Sequence, residues 1–164
     1  MGERTLILDD HRMARTVERM AWQVLERHRE GDRLVLAGVR NSGYSLAQRI
    51  QTHLKPHIDA ELIEIEVNKR QPTMEGTRAS ASASSLEGAH VVVVDDVLNS
   101  GATLLYALSY FLTASMGRIT TVVLVDRNHK RFPVKADIKG ISLSTGLHER
   151  VEVDWNSPSA TYLV

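Results

Sequence analysis

Val91-Val92-Val93-Val94-Asp95-Asp96-Val97-Leu98-Asn99-Ser100-Gly101-Ala102-Thr103 is the stretch from which the rest of the chain can be read. Four consecutive valines predict a strand covered on both faces, as in a parallel sheet. Asp95 and Asp96 then fall at its carboxyl end, where open parallel sheets hold their ligands. Asn99 to Thr103 opens the next helix, predicted over Ala102 to Ser115. A glycine permits close backbone approach, and hydroxyls with free amides at a helix start form an anion cradle. Acids beside an anion cradle suit a ligand that carries both hydroxyls and phosphate. Without a ligand the same residues read as solvated acids and a Ser100 helix cap. Neither a G-x-x-x-x-G-K-[ST] loop nor a G-x-G-x-x-G fingerprint occurs.

Outward from this stretch, strand and helix patterns alternate. Thr5–Leu8 is a short apolar run, and Asp9-Asp10 suits a helix start. Met13, Val17, Met20, Ala21, Val24 and Leu25 recur at helical spacing, with Trp22 assigned to the same core stripe. Gly31-Asp32 ends that helix. Leu34–Val39 predicts a buried strand, about Tyr44–Leu54 a helix closed by Pro56, and Glu61–Val67 a less buried strand. Residues 68–90 are polar and then Ser/Ala-rich, too long for a plain connection, so they predict a functional loop or disorder. Thr121–Val125 is another buried strand. Runs near Ile138–Leu143 and Val151–Trp155 predict a small appendage, with Trp155 packing there or at a subunit interface. The alternation predicts a single α/β domain over 1–164, doubly wound around a mostly parallel sheet.

Composition narrows the function. Of 164 residues, 43% are apolar and 24% charged, which is globular. Lys plus Arg and Asp plus Glu each number 20, so a bulk polyanion binder is disfavoured. Without cysteine there is no disulfide, thiol nucleophile or Cys-ligated metal. The charged N-terminus is unlike a signal peptide and Leu104–Met116 is too short to span a bilayer, so it predicts a buried helix and a cytoplasmic protein. His53 and His57 have metal-ligand spacing, but Pro56 between them breaks the helix that would align them, so they read as surface histidines.

The apolar run, the Asp-Asp pair and the Ser-Gly-x-Thr turn together resemble the phosphoribosyl-pyrophosphate (PRPP) motif of type I phosphoribosyltransferases. Ile7-Leu8-Asp9, Leu36–Arg40 and Leu124-Val125-Asp126-Arg127-Asn128-His129 with Pro133 extend the resemblance to the pyrimidine-operon attenuator and uracil phosphoribosyltransferase family. The resemblance implies that fold, with a C-terminal hood over about 127–164 and a mobile lid within about 68–90. It implies transfer of ribose 5-phosphate from PRPP to a nucleobase, with a pyrimidine such as uracil first, and release of pyrophosphate. Asp95 and Asp96 would hold the ribose hydroxyls, and Asn99, Ser100, Gly101, Ala102 and Thr103 the 5-phosphate. Arg40, Asn41, Ser42 and Gly43 would cradle pyrophosphate, with Arg40 counted among the catalytic residues beside Asp95 and Asp96. Lys69 or Arg70 would bring charge from the lid, Arg127 would reach pyrophosphate, and Asp126 would contribute to a Mg2+ site. The family's usual state is a dimer or larger homo-oligomer.

No protein nucleophile is needed for such a transfer; positioning, charge neutralisation and exclusion of water do the work. The chain departs from the family pattern at Ser42 and Ala102, where basic residues are usual, and in its Ser/Ala-rich lid. Those departures keep a second reading open: a non-catalytic sensor of PRPP or nucleoside monophosphate, with or without RNA. Arg12, Arg15 and Arg19, and the cluster Arg127, Lys130, Arg131 and Lys135, are the basic groups an RNA would meet. With Glu18 and Trp22 among them, a small polyanion is favoured over RNA.

Overall fold

The computed structural model describes residues 3–164. Its strands are β1 (Thr5–Leu8), β2 (Leu34–Val39), β3 (Ala60–Glu66), β4 (Arg78–Ala79), β5 (His90–Leu98), β6 (Arg118–Asp126), β7 (Ile138–Ser142), β8 (Val151–Asp154) and β9 (Ala160–Leu163). Its helices are α1 (Asp10–Arg27), α2 (Ser42–Leu54) and α3 (Ala102–Phe111), with one 3-10 turn at Ala83–Leu86. The main sheet has the order β4-β3-β2-β5-β6-β7, parallel throughout except where β4 runs against β3. A small antiparallel sheet, β1-β9-β8, stands apart from it.

Alternation within the central strands builds two cores. Leu34, Leu36, Val92, Val94, Val122 and Leu124 face α1 and α2, while Val35, Ala37, Val39, Val91, Val93 and Val123 face α3 and the 3-10 turn. Every residue of β2 is buried, as an unbroken apolar run requires. This is the doubly wound, mostly parallel α/β architecture expected from the strand–helix alternation. Asp9 caps α1, its carboxylate accepting from Arg12 N–H at 2.8 Å. Among the described residues no helix is long and apolar enough to cross a membrane.

Several expectations need correction. Ile138–Ser142 is not part of the appendage; it is the sixth strand of the main sheet, in parallel register with β6. The hood is instead made from both chain ends, because β9 pairs with β1 as well as β8. Trp22 leaves the core stripe: one step of about 100° past Ala21 carries it onto the flank, 47% exposed, with its ring 4.7 Å from that of His57. The helix expected over Ala102–Ser115 stops at Phe111. There Ser115 C=O accepts from Gly88 N–H and Gly117 N–H donates to Ala89, turning the chain into β6. Leu112, expected to be buried, is 70% exposed.

The stretch 68–90 is only partly a loop. Residues 78–79 pair with β3, and Ala83 and Leu86 are buried under α3. Serines that read as low complexity make local bonds that close the 3-10 turn: Ser82 Oγ accepts from Ser85 N–H, and Ser85 Oγ donates to Ser82 C=O. Tyr110 O–H donates to Ala81 C=O at 2.7 Å, pinning the segment from α3. The part left without regular structure before β4 is therefore 68–77.

At the opposite end of the sheet from the candidate site, His90 is buried with its ring stacked on His28. Their Nδ1 atoms are 3.1 Å apart, and His90 Nε2 lies 2.8 Å from Thr120 Oγ1. Burial first, then the neighbouring His28 and Arg118, push the His90 ring from its ordinary 6.5 down to about 4, with Asp32 opposing. The folded chain keeps His90 neutral where the unfolded chain would protonate it. The stabilisation is complete above about pH 6.5 and is lost as pH falls toward 4, by at most about 3 kcal/mol. Urea midpoints should fall steadily between pH 7 and pH 4.5, and less steeply in His90→Gln. A wild-type midpoint that does not move across this window would refute the assignment.

Candidate active site

β5 lies between β2 and β6, so its last residues emerge at the centre of the sheet's carboxyl edge. Asp95 and Asp96 are inside the strand rather than just beyond it, since β5 continues to Leu98. Strand alternation sends them apart: Asp95 is buried, at 3% exposure, and Asp96 is half-buried. Asp95 Oδ1 accepts from Asp96 N–H at 2.9 Å, and Asp96 Oδ1 accepts from Val97 N–H at 2.8 Å. Burial, reinforced by the neighbouring Asp96 charge, pushes the Asp95 carboxyl well above its ordinary range, while Lys69 acts in the opposite sense. Lys69 Nζ stands 3.9 Å from Asp95 Oδ1, so the 68–77 loop reaches the acidic pair.

A cleft of about 320 Å³ opens over this end of the strand, lined by Lys69, by Asp95 through Gly101, by Thr103, and by Val151 of the hood. Gly101 has φ +90° and caps α3, a backbone that side chains rarely adopt. A Cβ there would also lie 2.6 Å from Val134 Cγ1. Ser100 Oγ accepts from Ala102 N–H at 3.3 Å. Ser100 C=O accepts from the amides of Arg131 and Phe132, which brace the loop from behind. The α3 N-terminus thus points into the same cleft as the acids, an arrangement that attracts an anion.

Residues 40–43 join β2 to α2 beside the cleft. Asn41 takes φ 70°, ψ −110°, an uncommon conformation outside glycine. Gly43 permits direct packing of α2 on β5: a Cβ would lie 2.7 Å from Val94 C=O and 3.0 Å from Asp95 Cα. The Arg40 guanidinium pairs with Glu66 Oε1 at 2.7 Å, with both side chains about half exposed, and does not line the cleft. Such an exposed pair is weak enough for an entering anion to exchange. Arg70 is exposed on the lid turn, where Asn68 Oδ1 accepts from the amides of Arg70 and Gln71.

Two candidates behind the last core strand are already occupied. Arg127 donates to Asn99 Oδ1 at 2.9 Å, to Thr145 Oγ1 at 2.9 Å, and to the carbonyls of Gly146 and Glu149. It is a strut between the anion loop and the hood, whereas the sequence marked it for pyrophosphate. Asp126 is buried, accepts from Asn128 N–H, and has Lys139 Nζ 3.6 Å from its Oδ2. A metal ion there would displace a positive charge already in place. Carboxylate oxygens are the hard donors Mg2+ takes, commonly one or two beside substrate phosphates. Asp95 and Asp96 fit that pattern. Among the described residues no cluster of three or more metal-ligating side chains occurs.

Sequence reasoning did not find Val151, the Arg127 strut, or the bond from Trp155 Nε1–H to Ser42 Oγ, 2.7 Å across 113 positions. Contacts this distant in sequence leave no local periodicity to read.

Residues 3–156 match the family described as "Phosphoribosyl transferase domain". The chain is 34% identical over 151 residues to the "Bifunctional protein PyrR" of Streptococcus thermophilus, covering 90% of this chain and 87% of the relative. It is 33% identical over 152 residues to the "Pyrimidine operon regulatory protein" of Lactococcus lactis, with 90% and 87% covered. In fold it is similar to a hypoxanthine-guanine phosphoribosyltransferase of Bacillus anthracis, TM-score 0.77 at 18% identity over 99% of both chains. It is also similar to the hypoxanthine phosphoribosyltransferase of Trypanosoma cruzi, TM-score 0.74 at 18% identity, with 90% of this chain and 84% of that one covered.

A carboxyl whose folded pKa is raised contributes stability below its unfolded pKa of 3.8 and loses it as pH rises. At neutral pH the burial of Asp95 therefore costs stability, and Asp95→Asn should raise Tm. A lowered Tm by calorimetry would refute the burial argument. Gly43→Ala should lower Tm sharply, because the new Cβ meets backbone that cannot yield.

Proposed function

The chain belongs to the phosphoribosyltransferase family and is a pentosyltransferase of its PyrR-like branch; from that premise we propose that it transfers the ribose 5-phosphate of PRPP to a pyrimidine base such as uracil. The observation that carries the reading is one cleft in which buried Asp95 and half-buried Asp96 face the N-terminus of α3. Carboxylates accept from the ribose hydroxyls, and the amides and hydroxyls of 99–103 receive the 5-phosphate.

In the reaction the C1–oxygen bond of PRPP breaks, its electron pair leaving with pyrophosphate. A ring nitrogen of the base forms the new bond to C1 and gives its proton to solvent. Asp95 and Asp96 orient the ribose so that C1 faces the base, and their charge favours the cationic character that develops there. Lys69, drawn from Asp95 when the ribose hydroxyls take over that carboxylate, follows the leaving group and closes residues 68–77 against water. Residues 40–43 receive the pyrophosphate, with Arg40 released from its exposed pair with Glu66. Asp95 and Asp96 would hold Mg2+, which would supply charge neutralisation for the leaving pyrophosphate. Asp126 and Arg127 position the neighbouring loops without touching substrate. Val151 presents an apolar wall from the hood to the base. Cytoplasmic location and assembly into a homo-oligomer belong to the same proposal.

A second reading comes from relatives named as operon regulators: nucleotide binding coupled to RNA. Arg19 and Arg127 speak against a large phosphate-contact face, because Arg19 is spent on Gln23 Oε1 and Gly140 C=O and Arg127 on the hood.

A panel of bases with PRPP and Mg2+ should yield one pyrimidine nucleotide with equimolar pyrophosphate. Asp95→Ala/Asp96→Ala should lose at least about 100-fold in kcat/KM while melting as a folded protein. Turnover retained in that double variant would overturn the site. Binding of a nucleoside monophosphate by the wild type with no turnover on any base would favour the sensor reading.

A further inference from the structure

Trp155 lies just past β8, the strand that begins with the cleft residue Val151. Val151, Val153 and Trp155 alternate onto one face, and all three pack against the core formed with α1 and α2. One short segment therefore bears the apolar wall of the cleft at its start and Trp155 at its end.

The Trp155 indole N–H donates to Ser42 Oγ at 2.7 Å. Ser42 is the first residue of α2 and sits directly after Asn41, whose φ of 70° is strained for a side-chain-bearing residue. Such a conformation persists only where its surroundings over-determine it. Trp155 is itself held from the same helix face two turns on: the Arg49 guanidinium lies 4.9 Å from the ring centroid and donates to Trp155 C=O at 2.9 Å.

The direction of the bond matters for the ligand. An indole can only donate, so Ser42 Oγ must accept from Trp155. Its own proton is then free to be donated to a third party. A hydroxyl fixed as a donor beside a positive-φ turn suits an anion.

We propose that Trp155 is a positioning residue for the leaving group: through its bond to Ser42 it holds residues 40–43 in the shape that receives pyrophosphate. This rests on the phosphoribosyltransferase reading above, with residues 40–43 as the pyrophosphate loop. It gives the hood a duty at the far side of the active site from the base it covers.

The test uses inorganic pyrophosphate with Mg2+, followed by calorimetry, together with steady-state kinetics on PRPP. Trp155→Phe keeps the ring and removes the donor, and Ser42→Ala removes the acceptor. Each should raise the pyrophosphate Kd and the KM for PRPP by about 5- to 10-fold, with kcat within about 2-fold. The double variant should be no worse than Ser42→Ala, which already removes both the bond to Trp155 and the donation to the anion. In a Trp22→Phe background Trp155 is the sole tryptophan, and its emission should change saturably with pyrophosphate. Wild-type pyrophosphate affinity in Trp155→Phe would overturn the proposal even if Tm falls, since a purely structural role lowers Tm alone. Additive losses in the double variant would overturn it too. A wild-type protein that binds neither pyrophosphate nor PRPP would instead bring down the phosphoribosyltransferase reading itself.

Discussion

A carboxylate buried at the end of a strand with neighbours on both sides has no water to lean on, and the surroundings of Asp95 answer to that fact. β5 cannot expose the residue without breaking its pairing with β2 or β6. The charge is met in part by Asp96 N–H and by Lys69 across the cleft, and the burden that remains pushes the carboxyl toward its neutral form. A ligand that offers hydroxyl donors and brings positive charge relieves it.

Close packing around that strand end explains several residues that otherwise look incidental. Gly43 lets the first turn of α2 press onto Val94 and Asp95, which places the 40–43 loop within reach of the same ligand. Gly101 turns the chain sharply enough for the α3 N-terminus to face the acids. The hood then closes over the edge from two directions. Arg127 ties it to Asn99 in the loop before α3, and Trp155 ties it to Ser42 at the start of α2. Because the hood sheet is made from β1, β8 and β9, both ends of the chain are committed to one lobe. Asp10 extends this arrangement by accepting from Ser159 N–H and Oγ.

How much of this was legible depended on the range of the physics involved. Buried parallel strands announce themselves as apolar runs, so β2 was readable to the residue and the centres of β5 and β6 were too, although His90–Leu98 and Arg118–Asp126 run on past the valine run and Thr121–Val125. The acidic pair and the Ser-Gly-x-Thr turn were readable because strand end, turn and helix start are contiguous. Trp22 misled because an aromatic ring beside an amphipathic stripe is read as core, and only the neighbouring helix decides whether it is covered. Ser80 to Ser85 misled in the opposite sense: composition resembling disorder became a fixed turn once Tyr110 and Arg33 bonded its carbonyls. β7 was recognised as a strand but given to the wrong sheet, since strand propensity carries no information about partners.

The amino-acid sequence by itself determined the elements, their alternation and the chemistry of the central motif. All of these follow from local periodicity and from which residue types can accept, donate or turn. Only the tertiary structure decided which charges were free to act. Arg127 and Asp126 resemble ligands in sequence but are spent on internal partners, while Trp155, marked in sequence only for packing in the appendage or at a subunit interface, reaches the loop before α2. Hydrogen-bond capacity is finite, and which partner takes it depends on chain segments as far as 113 residues away.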